Sequence, residues 1–483
     1  MMMAATGLLF AACDDFEMPN PPAQSNPQET IFQSNGIAIS QVAQSLDLTA
    51  ISVSDAPAPV ITATLTDFPA NYTLSMVMEI SATEDFTSVG DVPTVTAASE
   101  SDPSVVTISV DADSLQGVYY STITRDPRQN NIYARFAAYA VNGTAKVRIG
   151  DPTLYYGPIE IAVTPFASDL QLEDSYSLAW SVGGAPFTAA NSVKFTHSSK
   201  SVYDDPSFSV VHDFTADEVA EGVTWMIVPA SSIAAGGTLT GYSAGEMYTD
   251  DTNGILEKGA TPAELSVSGP VMFNINMESL DFEYFEAVPS FYLPGDGNGW
   301  TFDHPALWTS DYVHYTGYAY LDGEFKFSST PAWDGHDFGQ SDNFTFTQAE
   351  GADYYVGTGE ADGGNNIKVS PSGVYWIEFN YATREVKMTQ CAEYGLIGGF
   401  NGWGSTEPLT QSASNKLIYT GKVKMSKGDE WKFRANNDWT INLGGDLTNL
   451  TPGGDNFKCE ADGTYDITLD LYNYPYTATV VKE

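Results

Sequence analysis

Residues 428–439 read Gly-Asp-Glu-Trp-Lys-Phe-Arg-Ala-Asn-Asn-Asp-Trp, which gathers two tryptophans, two cations and two amides into one short stretch. Such a set has a definite chemical use. A pyranose ring presents an apolar face of C–H groups edged by hydroxyls, so a flat aromatic ring can cover the face while Lys, Arg and Asn side chains bond the edge. Residues 323–333, Gly-Glu-Phe-Lys-Phe-Ser-Ser-Thr-Pro-Ala-Trp, repeat the order with Lys326 and Trp333 in place of Lys432 and Trp439, and Ser328 in place of Arg434. Trp300 and Trp403 follow Gly-Asn-Gly and Asn-Gly turns, where an indole fills a core poorly but makes a good exposed platform. The plainer reading is that these tryptophans close a sandwich and the cations pair with carboxylates.

Strands must position these groups. Strand alternation puts Phe433, Phe327, Tyr394 and Tyr292 in a core, with Trp431 also inward, and puts Lys432, Arg434 and Lys326 on the opposite face. The chain holds 27 Tyr, 25 Phe and 9 Trp, with Gly and Pro breaks between short alternating runs, so the fold class is all-β. Lys and Arg number 20 against 62 Asp and Glu, a net charge of −42 that repels phosphate backbones and argues against a nucleic-acid partner.

A repeat organises the larger part of the 483 residues. Its copies open at 174 (Asp-Ser-Tyr-Ser-Leu-Ala-Trp), 289 (Pro-Ser-Phe-Tyr-Leu-Pro-Gly-Asp-Gly-Asn-Gly-Trp) and 392 (Ala-Glu-Tyr-Gly-Leu-Ile-Gly-Gly-Phe-Asn-Gly-Trp). Each continues through a second matching segment, at 222, 323 and 428, and closes on an alternating strand at 269, 372 and 462. The expected organisation is therefore three β-sandwich modules, 164–288, 289–389 and 390–483, behind an immunoglobulin-like or fibronectin-like spacer at 31–163. Strands are expected there at Asp47–Val53, Val60–Phe68, Leu74–Ser81, Ser104–Ala112 and Ile132–Val141. The first module departs from the others: Met226 stands where they have Lys326 and Lys432, and no Asn-Gly-Trp turn follows Tyr176, so this copy is expected to be degenerate in binding.

The first thirteen residues end an apolar run at Cys13, followed at once by Asp-Asp-Phe-Glu. This is similar to a bacterial lipoprotein signal, in which the cysteine is lipidated, and the proline-rich 14–30 then reads as a tether. A lipid on Cys13 would be the membrane anchor, because no later stretch has the roughly 20 apolar residues of a spanning helix.

Lipobox, sandwich spacer and tandem modules with Asn-Gly-Trp turns together resemble the SusE/SusF family of surface lipoproteins of the starch utilization system. Residues 193–214, Val-Lys-Phe-Thr-His-Ser-Ser-Lys onward, are also very like a stretch of that family's modules. The resemblance implies non-catalytic binding of starch or a related α-glucan, as polysaccharide or maltooligosaccharide, outer-membrane location, and work beside an importer and partner glycan-binding lipoproteins. It also implies site roles for Trp333 and Lys326, and for Trp439, Lys432, Arg434 and Asn437, to which the turns add Trp300 and Trp403.

Other chemistry finds little support. No motif marks a carboxylate pair of a glycoside hydrolase, although 62 acids could supply one unannounced, and a structural surface protein is the remaining alternative. The five histidines show no metal-ligand spacing, and Asp250–Gly254 lacks the closing glutamate of a calcium loop, Ala260 standing there. Neither a cofactor nor a metal is expected. Cys391 and Cys459 could bridge or remain two buried thiols.

Overall fold

The structure, a computed structural model, describes residues 36–248, 251–340 and 344–483; Cys13 and the 14–30 tether lie outside the described residues. Strand alternation is followed closely where it was expected. In Thr73–Ser81 the side chains of Leu74, Met76, Met78 and Ile80 are buried and those between them are not. Two compact units result, one reaching Leu172 and including 200–205, the other holding 173–199 and 206–483.

The first unit is a sandwich. One sheet runs in the order Ile37–Gln41, Ala58–Leu65, Val105–Val110, Thr94–Ala98. The other runs Ser45–Asp47, Tyr156–Thr164, Asn130–Asn142, Thr73–Ser81, Gly90–Val92, with Ala145–Arg148 beside Asn130–Asn142. One expected strand is not there: Leu48–Ser54 is a helix. Its β-branched residues favour a strand, but Asp47 caps the first turn by accepting from Ala50 N at 3.1 Å, and Asp55 ends the last turn at φ 53°. A second helix, Ala112–Thr122, was not expected and starts the same way, Asp111 accepting from Ser114 N at 2.8 Å.

The second unit holds the repeat copies, apart from 164–172 and 200–205 of the first. In the last copy two sheets face each other, one built on Tyr394–Gly398 and Glu430–Ala435, the other on Ile418–Met425, Gly463–Asp470 and Thr477–Lys482. In the first copy the nine strands form one continuous sheet, and a bridge from Thr196 to Ser209 brings the ends of its path together. Each copy closes on a hairpin rather than on the single strand expected: Gly269–Asn276 with Asp281–Glu286, Gly373–Asn380 with Glu385–Gln390, Gly463–Asp470 with Thr477–Lys482.

The copies also share cores. Tyr318 and Val374 of the middle copy belong to the apolar cluster of the last, and the Tyr318 and Tyr394 hydroxyls hydrogen-bond at 2.7 Å. Likewise Met272 of the first copy is buried in the cluster of the middle one. Cys391 and Cys459 are both buried free thiols, and burial pushes the Cys391 pKa up to about 12, so it is a packing residue rather than a nucleophile.

Candidate glycan-binding site

In the last copy, Trp431, Phe433 and Ala435 point into the core while Lys432 is half-buried on the other face, the expected phase. The strand runs antiparallel to Tyr394–Gly398, pairing Trp431 with Gly398 and Ala435 with Tyr394. The turn that follows Gly398 is highly constrained. Asn401 accepts from Gly398 N at 3.0 Å and donates to Ser405 O at 2.8 Å, while Gly402 and Trp403 both take left-handed backbone, Trp403 at φ 58°. Trp300 repeats this at φ 61°, with Asn298 accepting from Gly295 N at 3.0 Å. A bulky residue costs on the order of 1 kcal/mol or more in that region, so two copies holding tryptophan there are keeping an indole where a glycine would rest more easily.

The turn brings Trp403 beside Trp439. Their ring centroids lie 6.1 Å apart with 30° between the planes, and they are 37% and 48% exposed. In the middle copy Trp300 and Trp333 stand 6.3 Å apart at 44°, with Trp333 51% exposed. Each pair is a shallow, angled platform open to solvent.

The other expected site residues brace these platforms. Arg434 is only 3% exposed and lies 5.0 Å from the Trp439 ring centroid. Its Nε donates to Thr406 Oγ1 at 2.6 Å and its Nη2 to Gly404 O at 3.1 Å and to Asn437 Oδ1. Burial lowers its pKa from the usual guanidinium value without removing the charge at neutral pH. Arg434 was expected as an exposed hydroxyl donor; its geometry is that of a brace tying the turn to the Trp439 loop.

Asn437 differs from expectation in the same way. Its Oδ1 accepts from Thr406 N and Oγ1, both at 2.9 Å, which leaves the amide NH₂ as its outward-facing chemistry. Lys432 Nζ donates to Asn442 Oδ1 at 2.9 Å, and Asn442 in turn donates to Trp439 O at 2.9 Å, so the lysine both steadies the loop and keeps further N–H donors.

The middle copy reaches a similar platform with other parts. Register places Ser328 where the last copy has Arg434; fully buried, it donates to Thr330 O at 3.0 Å and Ala332 O at 2.9 Å, drawing in the loop that carries Trp333. The Trp300 indole donates to Asp296 Oδ1 at 2.8 Å. Glu324 N and that indole together hold the Asp296 pKa below the ordinary carboxylate value. Lys326 is half-buried on the expected side, its backbone N donating to Pro294 O at 3.0 Å.

Phe302, packed edge-on to Trp333 at 4.9 Å, and Tyr292, 6.3 Å from Phe302, extend this aromatic group. Tyr292 is thus half-buried and not the core residue expected; Phe291 occupies the core, because alignment on the turn glycines pairs Phe291, not Tyr292, with Tyr394. Phe302, Asp296, Thr406 and Asn442 went unrecognised in the sequence, where only the recurrence of the turn around Asp296 hinted at a role.

In the first copy the corresponding face is filled. Tyr176 pairs with Pro229 and Trp180 with Trp225, which puts Met226 at the Lys432 position and Val228 at the Arg434 position. Met226, Val228, Ala179 and Leu239 form an apolar cluster, and Phe187 and Ile233 pack on it. Ile233 belongs to the helix Ala230–Ala235, which replaces the tryptophan-bearing loop. Met226→Lys is expected to destabilise the chain by roughly 2 kcal/mol, because an ammonium would enter this cluster without a partner. Thermal unfolding checks it, and an unchanged melting temperature would show that the face is open.

Comparison with known proteins adds a family match. Residues 173–287 match the family described as SusF, first starch specific carbohydrate-binding module. No curated protein matches the chain. Among solved structures, SusF from Bacteroides thetaiotaomicron is 13% identical, with a TM-score of 0.35 over 92% of this chain and 100% of that one. A DUF4784 family protein from Bacteroides caccae is 9% identical, with a TM-score of 0.15 over 93% of this chain and 96% of that one. The family match thus falls on the first of the three repeat copies, which is similar to a starch-specific carbohydrate-binding module of SusF.

Proposed function

We propose that the chain binds starch or a related α-glucan without cleaving it, through the tryptophan platforms of its second and third modules. One observation carries this reading: two modules that differ at many positions each hold a tryptophan in left-handed backbone beside a second exposed tryptophan. Ring planes set at 30° and 44° suit a glycan whose successive sugar faces turn, since a flat ribbon would call for coplanar rings. Lys432, Lys326 and the free amide of Asn437 supply donors for hydroxyls, while Arg434 holds the platform in place. The first module, its equivalent face closed by apolar side chains, contributes packing rather than affinity at this position.

Immobilised starch, pullulan, dextran and cellulose test the proposal. Retention on an α-glucan is expected, with no new reducing ends after prolonged incubation. Released sugar would make the protein a glycoside hydrolase, and failure to bind any polymer would make it a structural one.

The same reading places the protein on the cell surface, anchored by lipid at Cys13, holding glycan for a Sus-like importer and its companion lipoproteins. Among the described residues no helix is long and apolar enough to cross a membrane. Cys13→Ala is expected to abolish incorporation of a fatty-acid analogue and release the protein from membranes. Unchanged labelling would refute the anchor.

A further inference from the structure

A cleft of about 520 Å³ opens between the second and third modules, bordered on one side by Gly297 and Asn298 of the Trp300 turn. Thr301, Asp303 and His304 line it from the loop just beyond the Trp300 turn, and Asn415, Lys416 and Tyr472 line it from the last module. The walls are held together: His304 stacks on Tyr472 with centroids 4.3 Å apart and 15° between planes, and Tyr318, bonded to Tyr394, contributes to the floor. Burial lowers the His304 pKa, leaving a neutral imidazole at physiological pH.

The volume falls within the range of small-molecule sites, which separates it from the water-sized gaps of ordinary packing. Its lining mixes aromatic rings with a hydroxyl, an amide, a carboxylate and an ammonium. Among the described residues, Asp303 and Lys416 make no ion pair with each other or with any other group, although both border the same cleft. An anion would meet Asp303 and a cation would meet Lys416. A hydroxyl suits both, accepting from the ammonium and donating to the carboxylate, and the net charge of −42 further disfavours anions.

We infer that this intermodule cleft is a third saccharide site, sized for a neutral mono- or disaccharide unit and formed only where the second and third modules meet. It rests on the proposed glycan binding and extends it to side chains, Asp303 and Lys416, that belong to neither tryptophan pair, so each can be removed separately.

The test uses the full chain. Equilibrium dialysis with maltose, cellobiose and mannobiose should count three sites for at least one of these sugars. The double variant Asp303→Ala, Lys416→Ala should reduce the count to two, with its melting temperature unchanged because both side chains are unpaired. A second chain carrying Trp300→Ala, Trp333→Ala, Trp403→Ala and Trp439→Ala should keep one weak site, weakened at least about tenfold by adding the cleft substitutions. Two sites in both the parent and the cleft variant, or no sugar bound by the tryptophan-free chain while it remains folded, overturns the inference. Full binding by the tryptophan-free chain instead overturns the platform reading and leaves the cleft as the site.

Discussion

Trp439→Ala is expected to weaken oligosaccharide binding at the last module about thirtyfold. The indole is 48% exposed and forms half of the platform with Trp403, so its loss removes the surface that would shield one sugar face from water. Burial of one large side chain is worth roughly 2 kcal/mol, which converts to that factor. The bracing bonds from Arg434 to Thr406 and Gly404 do not involve the indole, so the fold should be undisturbed. Calorimetric titration with maltoheptaose measures the effect, in a full chain carrying Trp333→Ala to weaken the other platform. The full chain is needed because the last module shares its core with Tyr318 and Val374, and cutting it free would expose that core. Equal affinity with and without Trp439 would place the site elsewhere.

Trp431→Ala, on the same strand as Lys432, should act oppositely. Its indole is 2% exposed and packs on Phe457 at 4.6 Å and edge-on to Phe433 at 5.3 Å. Truncation leaves a large cavity, with a cost of about 3–5 kcal/mol. Denaturant unfolding should show that loss, while sugar affinity measured well below the melting temperature stays near the parent value. A Trp431→Ala protein that keeps its stability and loses binding would mean that the site lies on the other face of the strand.

These contrasting outcomes trace to what strand alternation reveals. The inward Trp431 and outward Lys432 were legible because a pleat leaves only two sides to choose from, and the recurring segment matched Met226 to Lys432 across modules. The exposed turn tryptophans were legible from their Asn-Gly neighbours. What was missed depends on distances that sequence does not carry. Arg434 lies on the expected face, but its length lets it reach Gly404 and Thr406, and only the folded turn shows that they take up its donors. The helix Leu48–Ser54 was hidden because one capping carboxylate outweighed a run of β-branched side chains. Tyr292 was misplaced by matching tyrosines rather than the turn glycines, a slip of one residue that reverses the face. The closed face of the first module was half legible: Met226 showed the lost lysine, but nothing local announced that Phe187, Leu239 and Ile233 would converge on it.

The core shared by the second and third modules has a mechanical consequence. With Tyr318 and Val374 embedded among the last module's residues, no loose linker separates the two platforms. Beads on a string would let each platform choose its own stretch of polymer, and affinity would climb smoothly as the ligand lengthened. A fused pair behaves as a caliper. A glycan shorter than the fixed gap meets two unrelated sites, whereas one long enough to span it gains the effective concentration of a preset second contact. If the platforms bind glycan as proposed, degree of polymerisation becomes a property the protein can discriminate, with a threshold written into a pair of buried tyrosine hydroxyls rather than into either binding surface.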